Sequence, residues 1–125
     1  MSQTKVLLVD DEVEFTVALA ERLQLRNYSV QTANNALEAL GLVYKNRPDV
    51  IILDLRIPGM DGIETLKTIK KYDPTIEVIM LTGHGDVQSV QEGMTSGAFE
   101  YIMKPVDIGE LTSKIDKAQK KKTEV

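Results

Sequence analysis

The fold is decided by the stretch Asp49-Val50-Ile51-Ile52-Leu53, which Asp54 follows near the middle of a chain of 125 residues. After its first residue this run is entirely apolar and rich in β-branched side chains, as expected of a strand buried on both faces of a parallel sheet. An acid directly after such a strand lies at its carboxyl end, the edge where open parallel sheets bind ligands. The stretch therefore predicts a central strand and a candidate functional carboxylate.

Strand and helix patterns alternate on both sides of this stretch. Four further runs have the composition of strands, at 5–9, 28–33, 76–81 and 99–103. After each of the five strands, apolar side chains recur at helical spacing, in stripes that begin at Phe15, Ala36, Ile63, Val87 and Leu111. Five strand–helix units predict right-handed crossovers and a parallel sheet with helices on both faces. The polar alternation of 28–33 is typical of a strand near a sheet edge.

Polar residues at the predicted helix ends have a structural interpretation. The candidate N-terminal caps are Asn34 or Asn35, Asp61, Asp86, and Asp107, which forms a capping box with Glu110. Gly97 is expected to end the fourth helix. We therefore assign these residues to helix boundaries, or to a loop in the case of Asp61, and not to chemistry.

Composition narrows the class of protein. Hydrophobic residues make up 42% and charged residues 27%, the chain contains no Cys and one His, and the net charge is −4. Disulfides, thiol catalysis and His- or Cys-based metal clusters are thereby excluded, and the negative charge disfavours direct binding of nucleic acid. No apolar run approaches the roughly 18 residues that span a bilayer. With no cleavage site visible near the N-terminus, these features predict a cytoplasmic protein that does not insert into membranes.

One domain is expected over residues 1–125, with a core at about 5–119. The segment 120–125 is polar and is interpreted as a fraying helix end or the start of a linker.

Four of the five predicted strands end in side chains able to do chemistry. These are Asp10-Asp11-Glu12, Asp54, Thr82 and Lys104-Pro105. If the first and third strands are neighbours, their carboxylates lie close together and repel one another unless a cation intervenes. Mg²⁺ fits such a set of oxygen ligands, and with a lysine and a hydroxyl the set suits phosphoryl binding and transfer. The alternative is that the first acidic group only charges a helix N-terminus.

The order of these motifs resembles the receiver domains of two-component response regulators. The matching segments are Val-Leu-Leu-Val-Asp-Asp-Glu at 6–12, Asp-Leu-Arg-Ile-Pro-Gly-Met-Asp-Gly at 54–62, Leu-Thr-Gly at 81–83 and Tyr-Ile-Met-Lys-Pro at 101–105. The resemblance implies a flavodoxin-like (βα)5 fold, α/β and doubly wound, with a parallel five-stranded sheet in the order 2-1-3-4-5. The stretch 81–87 is most similar to receivers of nitrogen-regulation-type, sigma-54-dependent activators.

The resemblance also implies a role for each site residue. Asp54 would accept a phosphoryl group, and Asp11, Asp54 and the backbone carbonyl of Arg56 would bind Mg²⁺, with Asp10 acting mainly through water. Lys104 would pair with one phosphoryl oxygen, in a Lys104–Pro105 peptide expected to be cis. Thr82 would donate to another oxygen, and Tyr101 would turn inward as Thr82 moves.

Two further residues flank the expected acceptor in this family. Arg56 lies two residues after Asp54, and His84 lies two residues after Thr82. We hypothesise that both side chains tune the lifetime of the phosphate by shaping the access of water. The alternative is that both are mobile loop side chains.

The implied function is a signalling switch, not an enzyme. A sensor histidine kinase would be the phosphoryl donor. The surface around the fourth helix, the fifth strand and the last helix would then change to control an output domain or protein, with transcription as the expected output. A phosphorylation-dependent homodimer is compatible with this function. The receiver could stand alone or be excised from a longer chain, and the polar tail favours excision.

Three other classes fit less well. A haloacid-dehalogenase-like phosphatase needs a second Asp two residues after its nucleophile, where this chain has Arg56. A flavodoxin-like cofactor binder needs a phosphate-cradling loop after the first strand, where Asp10, Asp11 and Glu12 would repel phosphate. A pseudo-receiver usually lacks one of the acids or the lysine, and none of them is missing here.

Overall fold

Five strands alternate with five helices in the part of the chain that a computed structural model describes, residues 3–57, 59–83 and 86–123, with only the backbone at 122 and 123. The strands are β1 Lys5–Val9, β2 Ser29–Ala33, β3 Val50–Asp54, β4 Glu77–Thr82 and β5 Glu100–Met103. The helices are α1 Val13–Gln24, α2 Ala36–Lys45, α3 Gly62–Tyr72, α4 Val87–Thr95 and α5 Ile108–Thr123. None of these helices is both long and apolar enough to cross a membrane.

The strands form one parallel sheet in the order β2-β1-β3-β4-β5, which confirms the predicted α/β fold and strand order. All five residues of β3 are buried, as expected of the central strand. In β2 only Ala33 is fully buried, which confirms that this strand lies at an edge. Strand β3 lies between β1 and β4, so the ends of these three strands lie side by side.

Apolar side chains alternate between the two faces of the sheet and build a core on each. Leu7, Ile51 and Met80 belong to the core that α2 and α3 cover. Leu8 and Ile52 belong to the core that α1 and α5 cover. Because side chains alternate between the two faces along each strand, the sheet has a layer of helices on both sides, which confirms the doubly wound arrangement.

The helix boundaries follow most of the predicted caps. Asn35 accepts a hydrogen bond from the Glu38 N–H at 2.8 Å. Asp61 and Asp107 likewise accept from backbone N–H groups in the first turns of α3 and α5. Gly97 has φ +110° just after α4, a left-handed conformation that glycine adopts without strain.

The prediction that Asp86 caps α4 is wrong as far as its side chain is concerned. Asp86 occupies the N-cap position, but its carboxylate makes no capping hydrogen bond. Its backbone, at φ −92° and ψ 56°, is not in the extended conformation usual for a capping residue.

Charged side chains also meet at the opposite edge of the sheet, where β4 begins. Glu77 is only 4% exposed, and its carboxylate lies 3.2 Å from Lys70 Nζ and 3.1 Å from Lys121 Nζ. We call Lys70, Glu77 and Lys121 the far-end ion cluster. It joins α3, β4 and the last turns of α5.

Candidate functional site

Three carboxylates converge at the carboxyl edge of the sheet. Asp10 follows β1, Asp11 comes next, and Asp54 is the last residue of β3. One oxygen from each of the three lies within 4.8 Å of the others. Asp10 is fully buried and Asp54 is buried, whereas Asp11 is exposed. Asp11 and Asp54 border a cavity of about 410 Å³ that opens to solvent and whose lining also includes Thr82 and Lys104.

Backbone hydrogen bonds fix two of these acids. Asp10 Oδ1 accepts from the Glu12 N–H at 2.9 Å, and the Asp10 carbonyl accepts from Asn34 Nδ2 at 2.8 Å. Asp54 Oδ1 accepts from the Arg56 N–H at 2.9 Å. The second oxygen of Asp54 is thus left to face the cavity and Lys104.

Lys104 follows β5 and binds the acids from the other side of the cavity. Its Nζ lies 2.7 Å from Asp10 Oδ2, 2.9 Å from Glu12 Oε1 and 3.4 Å from Asp54 Oδ2. The ammonium also lies 4.8 Å from the centre of the Phe15 ring, within the range of a cation–π contact. The Lys104–Pro105 peptide is cis.

Burial and charge shift the pKa values of Asp10 and Lys104 upward. Burial raises the pKa of the Asp10 carboxyl, and the contacts with Lys104 and the Glu12 N–H offset this only in part. Burial alone would lower the pKa of Lys104, but its contacts with Asp10 and Glu12 and the charge of Asp54 raise it. Lys104 therefore stays cationic and neutralises part of the acidic charge.

The acidic group has the composition of a divalent-cation site. Asp10, Asp11 and Asp54 together offer oxygen ligands only, and hard cations such as Mg²⁺ prefer oxygen. The exposed Asp11 carboxylate is open to a hydrated ion arriving from solvent. The donor set therefore fits a hydrated divalent cation better than a soft metal.

A second, smaller cavity lies next to Thr82 and Tyr101. Thr82 is 3% exposed, and among the described residues its Oγ1 has no hydrogen-bond partner. Tyr101 is 39% exposed and lies 5.8 Å from Lys114 Nζ, measured to the ring centre. Both residues line a cavity of about 140 Å³ between β5 and α4.

The structure brings most of the predicted site residues together at one edge of the sheet. Asp10, Asp11, Asp54, Thr82 and Lys104 all lie there, and Arg56 is exposed at the rim. His84, like its neighbour Gly85 and like Pro58, lies outside the described residues.

Two contacts of Lys104 were not anticipated from the sequence. The sequence pattern assigns Glu12 only to an acidic motif and Phe15 only to a helical stripe. Both reach Lys104 from the start of α1. The residue numbers alone carry no signal for these contacts, because Glu12 and Lys104 are 92 positions apart.

Comparison with known proteins agrees with the geometry. The family model described as "Response regulator receiver domain" matches residues 6–116. Sporulation initiation phosphotransferase F of Bacillus subtilis (strain 168) is 41% identical over 117 residues, which are 94% of each protein. A receiver domain protein of Clostridium thermocellum has a crystal structure that matches with a TM-score of 0.91 at 36% identity, covering 95% of this chain and 96% of that one.

Similarity extends to larger regulators. The DNA-binding transcriptional regulator NtrC of Escherichia coli (strain K12) is 35% identical over 118 residues, 94% of this chain but 25% of that protein. The chain thus spans nearly all of one relative and about a quarter of the other. The expected likeness to receivers of nitrogen-regulation-type activators is confirmed. With a family match over 6–116 and a five-stranded sheet in the expected order, the chain belongs to the response regulator receiver domain family.

Proposed function

We propose that this receiver domain accepts a phosphoryl group on Asp54 from a phosphohistidine of a sensor histidine kinase. The observation that carries the proposal is the position of Asp54: its Oδ2 faces Lys104 Nζ at 3.4 Å, and one of its oxygens lies within 4.8 Å of those of Asp10 and Asp11. A carboxylate at a solvent-open cavity, beside a lysine and a cation site, is equipped for phosphoryl transfer. The donor N–P bond breaks as the P–O bond to Asp54 forms.

The cation proposed for the acidic group is Mg²⁺. Asp11, Asp54 and the Arg56 carbonyl would ligate it directly, with Asp10 acting through water. When bound, Mg²⁺ neutralises the carboxylates and the incoming phosphoryl oxygens. Lys104 provides a further positive charge for a phosphoryl oxygen, as a point charge with three N–H donors.

Thr82 and Tyr101 carry the change to the surface in this proposal. The buried Thr82 hydroxyl has no partner among the described residues, so an acyl phosphate on Asp54 offers it an acceptor. Movement of Thr82 changes the wall of the 140 Å³ cavity, into which the Tyr101 ring can turn. The phosphate shifts the populations of two conformations of α4, β5 and α5.

The test is incubation with a small acyl phosphate and Mg²⁺, followed by intact-protein mass. We expect one phosphoryl adduct on the wild type, none without Mg²⁺, and none on Asp54→Asn. Asp61→Asn is the matched control, because Asp61 is an acid that caps α3 and should leave phosphorylation unchanged. An adduct that persists on Asp54→Asn would refute the proposal.

Relatives indicate two outputs for the phosphorylated domain. The similarity to transcriptional regulators supports control of transcription through an output domain. The net charge of −4 argues against direct contact of this domain with nucleic acid. A phosphorylation-dependent homodimer is part of this proposal. The near-complete match to a phosphotransferase favours a second candidate, a carrier that passes the phosphoryl group to another protein. Phosphoryl transfer from the loaded protein to a partner histidine would identify the carrier.

Arg56 and His84 are proposed to set the lifetime of the phosphate. Arg56 is exposed at the rim of the cavity that Asp54 lines, where a long side chain can exclude water. We expect Arg56→Ala and His84→Ala to shorten the phosphate half-life, measured by the decay of the adduct mass after the donor is removed. Unchanged half-lives in both variants would contradict this role.

A further inference from the structure

Lys104 is paired with three carboxylates in this structure, more than its proposed role of binding a phosphoryl oxygen requires. Its ammonium has three N–H donors, and three carboxylates surround it: Asp10 at 2.7 Å, Glu12 at 2.9 Å and Asp54 at 3.4 Å. The acceptor Asp54 is the most distant of the three. In this state a phosphoryl oxygen must compete with these carboxylates for Lys104.

Burial decides which partner is released most easily. The Asp10 side chain is fully buried, so water cannot replace the lysine there. Asp54 is itself the residue that would carry the phosphoryl group. The Glu12 side chain is 65% exposed, so water readily solvates the carboxylate after the lysine leaves.

The backbone of Glu12 is held so that its side chain faces the lysine. Its N–H donates to Asp10 Oδ1 at 2.9 Å, and its carbonyl accepts from Thr16 Oγ1 at 2.9 Å. Glu12 occupies the N-cap position of α1, but its side chain makes no capping hydrogen bond. Its carboxylate pairs with Lys104 instead.

We propose that Glu12 is a positioning residue that holds Lys104 in the unphosphorylated state and competes with the phosphoryl group for it. The proposal rests on the phosphoacceptor function proposed above and adds a residue to it. Glu12 biases the domain toward the unphosphorylated form, because each loading event must break the Glu12–Lys104 ion pair. Removing that pair should therefore favour the phosphoryl-bound form.

The first experiment measures the affinity of the Mg²⁺-loaded protein for beryllofluoride, a noncovalent phosphoryl mimic, by calorimetry. Glu12→Gln removes the charge, and Glu12→Asp keeps the charge but shortens the side chain by one methylene. We expect both to bind beryllofluoride about two- to fivefold more tightly, as the loss of an exposed competing ion pair predicts. Glu14→Gln is the control, since it removes an exposed charge from the same helix turn and should leave the affinity unchanged.

Glu12→Asp distinguishes a direct contact between Glu12 and Lys104 from a general repulsion between negative charge and the bound anion. If the negative charge near the cavity alone repelled the anion, Glu12→Asp would bind like the wild type, and Glu14→Gln would bind more tightly. Either result would overturn the proposal.

The second experiment tests the ion pair without any phosphoryl group. It compares the thermal unfolding midpoints of the wild type, Glu12→Gln, Lys104→Met and the double variant in metal-free buffer. We expect Glu12→Gln to lower the midpoint by roughly 1–5 °C when Lys104 is present and to have no such effect in the Lys104→Met background. Equal effects in both backgrounds would refute the proposed contact.

The two experiments also distinguish this inference from the proposed function. A wild type that binds no beryllofluoride and gains no phosphoryl adduct would contradict the phosphoacceptor function, while the unfolding comparison would still decide whether Glu12 holds Lys104. Normal phosphorylation with no coupling between Glu12 and Lys104 would contradict only the inference.

Discussion

Asp54 and Thr82 belong to the strands and not to the loops that follow them. Asp54 is the last residue of β3, and Thr82 is the last residue of β4. Asp54 is paired in register with Leu81, and Thr82 with Met103. Both side chains are thereby anchored by the hydrogen bonds of the sheet, which suits a site that needs fixed geometry.

Position along the chain predicted which residues lie close together, but not which side-chain contacts they form. The rule that parallel sheets bind ligands at the carboxyl ends of their strands predicted one shared edge for five residues. The structure has all five there: Asp10, Asp11, Asp54, Thr82 and Lys104. It could not predict that Lys104 contacts Asp10 and Glu12 more closely than Asp54. Such differences of less than 1 Å depend on side-chain conformation and burial, which no spacing rule contains.

The unpartnered hydroxyl of Thr82 leads to a prediction about stability. We expect Thr82→Val to leave the free energy of unfolding of the unphosphorylated protein unchanged or to raise it by up to about 1 kcal/mol, since it removes a buried polar group that has no partner. Urea unfolding measures this difference.

Thr65→Val is the matched control for that prediction. Thr65 is equally buried, but its Oγ1 donates to the Asp61 carbonyl at 3.0 Å. This substitution should lower the free energy of unfolding by about 1 kcal/mol. If Thr82→Val were as destabilising as Thr65→Val, the Thr82 hydroxyl would have to be hydrogen-bonded in solution.

At the scale of elements, the sequence predicted each helix and strand, with boundaries that shift by a residue or two. The second strand begins at Ser29 and not at Tyr28, and the fourth at Glu77 and not at Ile76. Tyr28 donates its hydroxyl to Asp116 of α5 at 2.6 Å, so tertiary contacts and not local pattern decide its role. Asp86 shows the same limit, because a capping residue type does not ensure a capping geometry.

Gly62 allows the start of α3 to pack closely against the loop that follows β3. A Cβ at this position would overlap the backbone of Leu55, and backbone cannot move aside as a flexible side chain can. We expect Gly62→Ala to lower the free energy of unfolding by about 1–3 kcal/mol and to slow phosphorylation, because Leu55 adjoins Asp54. Urea unfolding and the rate of adduct formation measure the two effects.

Gly41→Ala is the control for that substitution. Gly41 lies within α2 and has no atom within 4 Å of an added Cβ. Alanine there should raise the free energy of unfolding by roughly 0.5–1 kcal/mol, as expected for glycine replacement in a helix. A Gly62→Ala protein as stable as Gly41→Ala would contradict the close approach of α3 to Leu55.

At the scale of the whole molecule, the order of the strands came from the family resemblance and not from the pattern. Alternating strands and helices predict a parallel doubly wound sheet, but right-handed crossovers allow more than one strand order. The observed order puts β1 beside β3. Because β1 and β3 are neighbours, Asp10 and Asp11 lie close to Asp54.

Metal binding should therefore stabilise the whole domain. A cation held by residues from both β1 and β3 binds the folded chain and not the unfolded one, and a concentration of 100 times Kd contributes about 2.7 kcal/mol. We expect the thermal midpoint of the wild type to rise with Mg²⁺ and to fall back on chelation. In Asp11→Asn the rise should be much smaller, and a full rise in that variant would exclude Asp11 as a ligand.

The far-end ion cluster has a mechanical consequence for α5. The helix starts four residues after Lys104 and, in its last turns, Lys121 is tied to the buried Glu77 at 3.1 Å. Its 16 residues make a rod roughly 24 Å long. With one end fastened, a displacement of about 1 Å at the other end is a rotation of only about 2–3° around Glu77. If phosphorylation displaces the start of α5, we expect the helix to pivot around Glu77, so that its displacement is largest in its first turn.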